Sequence, residues 1–108
     1  MDDLITQVNR LNSELTQSIK LLRKNGESFA QAERDYQVAK AQMVLLLKDK
    51  GCGSTEINLR IKGEVADKLF ARDVAKVMYE SNQEHINTVK LQLRLLDNQI
   101  AREWGGNG

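Results

Sequence analysis

The chain has 108 residues, the size of one domain, with no proline and a single cysteine. Hydrophobic residues make up 41% of the chain but aromatic residues only 5%, which excludes a bulky aromatic core and favours aliphatic helix seams. The formal net charge of +1 excludes a strong overall attraction to nucleic acid or to an acidic membrane surface.

Residues 3–50 carry the pattern of one long helix, which the absence of proline permits. Apolar or small residues recur alternately three and four positions apart, as they do along a seam between two packed helices. One row of this seam is Val8, Leu15, Leu22, Phe29, Tyr36 and Met43, and the other is Leu4, Leu11, Ser18, Asn25, Ala32, Ala39 and Leu46. The pattern predicts a helix over 3–50 that packs against a partner helix.

Asn25 and Gly26 interrupt this pattern with a polar seam residue and a glycine. A glycine in a helix costs about 1 kcal/mol relative to alanine. Because the seam continues unchanged on both sides, we expect a bend or weak hydrogen bonds here rather than a break. Two interpretations of Asn25 stay open: it specifies the register, as buried asparagine does in coiled coils, or it lies at a solvated kink.

Residues 51–63 are predicted to form an elbow. Gly51 follows two lysines in the last turn of the first helix, which is a typical helix ending. The segment 55–62 fits two structures, because its isoleucines and Leu59 alternate with polar residues as in a strand, whereas Ser54 can cap a short helix. A lone strand has no partner in this sequence, so we favour the short helix.

A second long helix is predicted over 64–104. Its apolar stripe consists of Ala66, Phe70, Val74, Met78, Asn82, Ile86, Val89, Leu93, Leu96 and Ile100. Because the elbow is short, we expect the two helices to form an all-α, coiled-coil-like antiparallel hairpin in a single domain spanning 1–104. Residues 105–108 are predicted to form a flexible tail.

Apolar residues also lie outside this hairpin seam. Leu91 and Leu95 lie roughly 160° around the helix from Leu93, which belongs to the seam. Ordered apolar rows on the back of a helix indicate that another helix packs there. We therefore expect assembly into an oligomeric bundle, or docking on a helical partner. The predicted contact residues are Leu21, Leu45, Leu91, Leu95 and Trp104.

No residue set in the chain predicts catalysis or metal binding. His85, the only histidine, falls on or beside the core stripe, and we expect it to be packed and hydrogen bonded. Cys52 lies in a turn between glycines without a local base, which indicates an ordinary thiol. No glycine-rich phosphate loop is present. We expect a protein without enzymatic activity, metal or cofactor.

Basic residues support an alternative function in nucleic-acid binding. Three cluster on one turn of the first helix, and two lie in the elbow: Lys20, Arg23, Lys24, Arg60 and Lys62. Acidic residues are interspersed and no aromatic side chain is available to stack on bases, so the sequence favours a solvated charged face over this alternative.

The N-terminal segment indicates a cytoplasmic protein. Asp2 and Asp3 are acidic where a signal peptide would be basic, and no apolar run approaches the roughly 20 residues of a membrane span. The lone Cys52 is compatible with a reducing compartment.

The second half of the chain resembles a family of small helical proteins encoded by bacteriophages and prophages of Gram-positive bacteria. The resemblance rests on Lys62-Gly63, Asp73-x-Ala75-x-x-x-Tyr79-Glu80, Glu84-x-Ile86-Asn87-x-x-Lys90, and Arg94-x-x-Asp97-Asn98-Gln99-Ile100-x-Arg102-Glu103-Trp104. It implies a non-enzymatic accessory protein expressed in the cytoplasm of a host cell, and it implies no active site. The alternative implied is an accessory factor in phage DNA replication or recombination.

Overall fold

The computed structural model describes residues 2–105, which form three α-helices. These helices are α1 (Asp2–Asp49), α2 (Ser54–Glu64) and α3 (Ala66–Gly105). No strand occurs within 2–105, so the all-α prediction is confirmed and the strand alternative for the elbow is wrong.

The predicted helix boundaries lie within two residues of the observed ones. The first helix begins and ends one residue earlier than the predicted range 3–50. Glu64, predicted to begin the second long helix, is the last residue of α2. Gly105 of the predicted tail closes α3, and residues 106–108 lie outside the described residues.

Helix α1 ends in a Schellman motif centred on Gly51. The Gly51 backbone N–H donates to the Lys48 carbonyl at 2.9 Å, and the Cys52 N–H donates to the Leu47 carbonyl at 3.1 Å. Gly51 has φ of +83°, a left-handed conformation that glycine adopts without a steric penalty. The sequence signal of lysines followed by glycine therefore marks a real helix end.

A single residue, Val65, separates α2 from α3. Its backbone (φ −110°, ψ 12°) departs from helical geometry. Its N–H still donates to the Ile61 carbonyl at 3.1 Å, and its carbonyl accepts from the Leu69 N–H at 3.0 Å. The side chain of Val65 is only 4% exposed, so the junction is held by packing as well as by hydrogen bonds.

The chain divides into two compact units. Within the described residues, the terminal unit consists of 2–24 and 80–105, and the central unit consists of 25–79. Helices α1 and α3 contribute a segment to each unit, whereas α2 belongs wholly to the central unit.

In the terminal unit, the first part of α1 packs antiparallel to the last part of α3. The Asn82 side-chain amide donates to the Ser18 carbonyl at 3.1 Å, and His85 Nε2 lies 3.9 Å from Glu14 Oε1. As the residue number rises along α3, its partner number falls along α1, which confirms the predicted antiparallel pairing here. The buried residues of this unit are Leu11, Ser18, Asn82, Ile86 and Val89.

In the central unit, α2 packs with the end of α1 and the start of α3. The buried apolar residues are Leu47, Ile57, Ile61 and Val65. At the other end of this unit, the rings of Phe29 and Tyr79 lie 6.0 Å apart at an interplanar angle of 38°. A Cβ atom on Gly26 would lie 3.3 Å from Tyr79 Cε2, so the small glycine permits this ring to approach α1 closely.

A polar cluster joins α1 to α3 within the central unit. Arg72 Nη1 donates to Glu33 Oε2 at 2.9 Å, and Arg72 Nε donates to Asp73 Oδ1 at 2.9 Å. The guanidinium carbon of Arg72 lies 5.2 Å from the centre of the Tyr36 ring, within the range of a cation–π contact. Glu33 and Arg72 are 39 residues apart in the sequence, and the structure joins them across the two helices.

These contacts shift the pKa values of both charged partners. A hydrogen bond from Gln37, together with the bond and charge of Arg72, lowers the pKa of Glu33 against the opposing effect of burial. Burial alone would lower the pKa of Arg72, but the hydrogen bond from Arg72 to Glu33 and the charges of Asp73 and Glu33 outweigh it and raise the pKa. Each group therefore favours the ionised form of the other.

The predicted seam of α3 is correct in its second half and wrong in its first half. Asn82, Ile86 and Val89 are buried as predicted. By contrast, Ala66, Phe70, Val74 and Met78 are all exposed. The inward row consists instead of Val65, Leu69, Arg72, Ala75 and Tyr79, which are buried or half-buried. This row mixes steps of three and four, which keeps it on one face of the helix, whereas repeated steps of four drift by roughly 40° each across the helix surface.

Two further predictions for α1 are corrected. Leu46, assigned to the seam, is 46% exposed, and the next residue, Leu47, is 1% exposed and lies where α2 adds its contacts. Asn25 is buried, and α1 runs through it without interruption, so the solvated-kink alternative is wrong.

Candidate interaction surfaces

The five contact residues predicted from the sequence all lie on the surface of the single chain. Their exposed fractions range from 48% for Leu21 to 72% for Trp104. Leu21, Leu91, Leu95 and Trp104 belong to the terminal unit, whereas Leu45 belongs to the central unit. They therefore do not form one described surface, and each unit is considered by itself.

Leu95 lies beside a shallow depression in the terminal unit. The depression has a volume of about 260 Å³. It is lined by Gln7, Arg10 and Leu11 of α1 and by Gln92, Leu95 and Leu96 of α3. Leu91 lies one turn before Leu95 and is 49% exposed. Two apolar side chains in polar surroundings fit the contact of a single docked helix.

Leu45 borders a second depression, in the central unit. This depression has a volume of about 420 Å³ and is lined by Gln37, Lys40, Ala41, Val44 and Leu45. Leu45 itself is 62% exposed, so its side chain is available to a partner.

One exposed apolar surface of the central unit was missed by the sequence prediction. It consists of four side chains on α3, and we call it the Phe70 surface: Phe70 (71% exposed), Val74 (42%), Val77 (60%) and Met78 (56%). Three of the four had been assigned to the hairpin seam. The signal that could have found this surface is the second apolar row on α3, which begins at Val65 and passes through Leu69.

A groove runs along the Phe70 surface. Its volume is about 360 Å³ and its lining is almost wholly apolar. It is lined by Asn25 and Ser28 of α1 and by Phe70, Ala71, Val74, Ala75 and Met78 of α3. The side chains at residues 28, 71 and 75 are small, so they create the space of the groove, and larger side chains border it.

The basic residues of the nucleic-acid alternative fall into two groups. Lys20, Arg23 and Lys24 lie in the terminal unit, whereas Arg60 and Lys62 lie on α2 in the central unit. Arg60 Nη1 lies 3.6 Å from Glu56 Oε1, an acidic neighbour on the same helix. This acidic neighbour reduces the positive potential of α2. Nucleic-acid binding by the two basic groups stays a prediction.

His85 and Cys52, the residues that the sequence analysis weighed for metal binding or catalysis, lie on the surface and at a turn. The side chain of His85 is 49% exposed and its Nε2 lies 3.9 Å from Glu14 Oε1, so the prediction of a packed histidine is wrong. Cys52 is half-buried, and Arg60 Nη1 donates to its sulfur at 3.7 Å. Within residues 2–105, no group of three or more histidine, cysteine, aspartate or glutamate residues has metal-binding geometry.

The comparisons with known proteins returned no relative. No family model matches the chain, and no curated protein or solved structure matches it. Among the helices described, none has the length and apolar character needed to cross a membrane. The exposed apolar faces are therefore the features of the chain that bear on its function.

Proposed function

We propose that the protein is a non-enzymatic accessory protein of a bacteriophage or prophage. In this proposal it works in the host cytoplasm as a helical protein–protein interaction or oligomerisation module. The resemblance of its second half to phage-encoded helical proteins supports the viral setting. The exposed apolar faces support the interaction role.

The observation that carries the proposal is the balance of buried and exposed apolar side chains. Within residues 2–105, seven hydrophobic residues are buried, whereas fourteen large hydrophobic residues are exposed. Single exposed apolar residues are ordinary, but contiguous exposed faces are typical of surfaces that bind another protein. A chain of this size with so small a core gains stability when a partner covers those faces.

In the terminal unit, Leu91 and Leu95 supply the proposed contact with a helix of a phage or host protein. They are spaced one turn apart, and Leu95 adjoins the depression that Gln7 and Arg10 line on α1. An apolar helix face that enters such a depression is a common mode of helix recognition. The polar neighbours would orient the partner at the rim of the contact.

The test uses the full chain, tagged and expressed in phage-infected or lysogenic cells. We expect a defined partner to be recovered with the wild-type chain and lost with the double variant Leu91→Glu and Leu95→Glu. The matched control is Gln83→Glu with Asn87→Glu, which adds the same charges at the same spacing to exposed positions of α3. Circular dichroism checks that all three chains stay helical. Equal recovery with both variants would contradict the contact assignment.

A further inference from the structure

We propose that the Phe70 surface binds a second copy of this chain, in a two-fold symmetric contact. In this contact the Phe70 side chain of each copy packs in the apolar groove of the other. The inference deepens the proposed function, because it names the partner of one surface of the module. It uses residues other than Leu91 and Leu95, so the two proposals can fail separately.

The first argument is that the projecting side chain and the groove belong to the same face of the same unit. Phe70 is 71% exposed, and the groove extends along α3 from Phe70 to Met78. A two-fold axis near Val74, midway between these residues, would place each Phe70 over the far end of the other copy's groove. A surface that carries both complementary parts is what an isologous dimer contact requires.

The second argument is the apolar character of the Phe70 surface. A standard-size interface buries roughly 800 Å² on each partner and has an apolar centre with a polar rim. The Phe70 surface supplies such a centre, because its four large side chains are 42–71% exposed on one face of α3.

The third argument is that the central unit needs a partner that is always present. It buries four apolar residues, Leu47, Ile57, Ile61 and Val65. The Phe70 surface leaves the same number of large apolar side chains exposed. Covering that surface would remove these four side chains from water as well, which favours association. Another copy of the chain is present whenever the chain itself is made.

Charge does not oppose this self-association. The formal net charge is only +1 per chain, so two copies repel each other weakly at long range. Next to the contact, the negative charge of Asp73 is paired with Arg72 at 2.9 Å within its own chain. The apolar contact area of two copies can therefore approach without an unpaired charge at Asp73.

The experiment measures the mass of the chain in solution by light scattering and sedimentation equilibrium over a wide range of concentrations. We expect the wild-type chain to have twice its monomer mass of 12.2 kDa. We expect the double variant Phe70→Glu and Val77→Glu to have the monomer mass, a twofold decrease. The variant Leu91→Glu with Leu95→Glu is the control, and it should keep the dimer mass.

A second measurement keeps the test decisive if the Phe70→Glu and Val77→Glu variant does not fold. In a chain with Cys52→Ser, Val74→Cys is placed near the proposed two-fold axis, and Gln42→Cys is an exposed control on α1. Mild oxidation should link the first variant into disulfide-bonded dimers and leave the second largely monomeric. A monomeric wild-type chain, a dimer insensitive to the Phe70 and Val77 changes, or equal cross-linking at both cysteines would overturn the proposal.

Discussion

Asn82 of α3 donates a hydrogen bond from its side-chain amide to the backbone carbonyl of Ser18 on α1, at 3.1 Å. Both residues are buried. A buried amide between two helices restricts their relative register, because sliding one helix would leave the amide without its acceptor. This bond therefore selects one antiparallel alignment among those that the apolar residues around it would tolerate.

Asn82→Ala should lower the free energy of unfolding by about 1 kcal/mol, since it removes a buried hydrogen bond and some packing. Asn82→Leu should keep or raise stability, because it replaces the amide by an apolar group of similar size. Urea denaturation, followed by circular dichroism, measures the free energy of unfolding of both variants. The protein concentration is kept fixed, because association would shift the measured stability. The exposed Asn87→Ala is the control, with an expected change within about 0.5 kcal/mol. Equal losses in Asn82→Ala and Asn87→Ala would contradict the role of the bond.

The Glu33 carboxylate, which accepts hydrogen bonds from Gln37 and Arg72, should make stability depend on acid pH. The pKa of Glu33 is lowered in the folded chain, so its contribution is fully present above the pKa of an unfolded glutamate, about 4.3. It is lost as the pH falls through the lower folded pKa. We therefore expect the thermal midpoint of Glu33→Gln to fall less than that of the wild type between pH 5 and acid pH.

The control for this experiment is Glu84→Gln, which removes an exposed carboxylate on the same chain. It should keep the acid dependence of the wild type. If Glu33→Gln and Glu84→Gln have the same pH profile, the contacts of the Glu33 carboxylate make no measurable contribution to acid sensitivity.

The helices were predictable because their signals are local and repeated. On α1 the seam from Leu4 to Met43 keeps its spacing over many turns, and every one of its positions is buried or half-buried. Gly51 marks the helix end through its own backbone preference. Such features depend on near neighbours in the chain and need no knowledge of the partner helix.

The first half of α3 was not predictable in the same way. Two rows of mainly apolar residues lie side by side there. The row that faces α1 contains Arg72, and hydrophobic periodicity assigns a charged residue to the surface. Its place in the interface depends on Glu33 and Tyr36, which are more than thirty residues away in the sequence. The Phe70 surface was hidden by the same ambiguity, because an exposed apolar row has the same sequence pattern as a row that faces the core.

Gly26 and Gly63 provide a paired test of the contact between Gly26 and Tyr79. A Cβ at Gly26 would lie 3.3 Å from Tyr79 Cε2, whereas a Cβ at Gly63 would meet nothing within 4 Å. Gly63→Ala should raise the free energy of unfolding by roughly 0.5–1 kcal/mol through helix propensity. Gly26→Ala should gain less, because the Tyr79 ring must shift against Phe29. Urea midpoints measure both changes, and an equal gain at the two positions would contradict close packing at Gly26.

Nucleic-acid binding through the basic residues is the alternative that a direct titration decides. Lys20, Arg23 and Lys24 lie on one turn of α1, so this group could contact about three phosphates, and each contact adds roughly 0.9 to the salt dependence of log K. Because the contacts are few and the net charge of the chain is only +1, we expect the chain not to bind a duplex even at low salt. We expect fluorescence anisotropy with a labelled DNA duplex to show no binding at about 50 mM salt. The paired variant Lys20→Glu with Lys24→Glu should behave identically. Binding that weakens steeply with salt and disappears in this variant would instead support a role on nucleic acid.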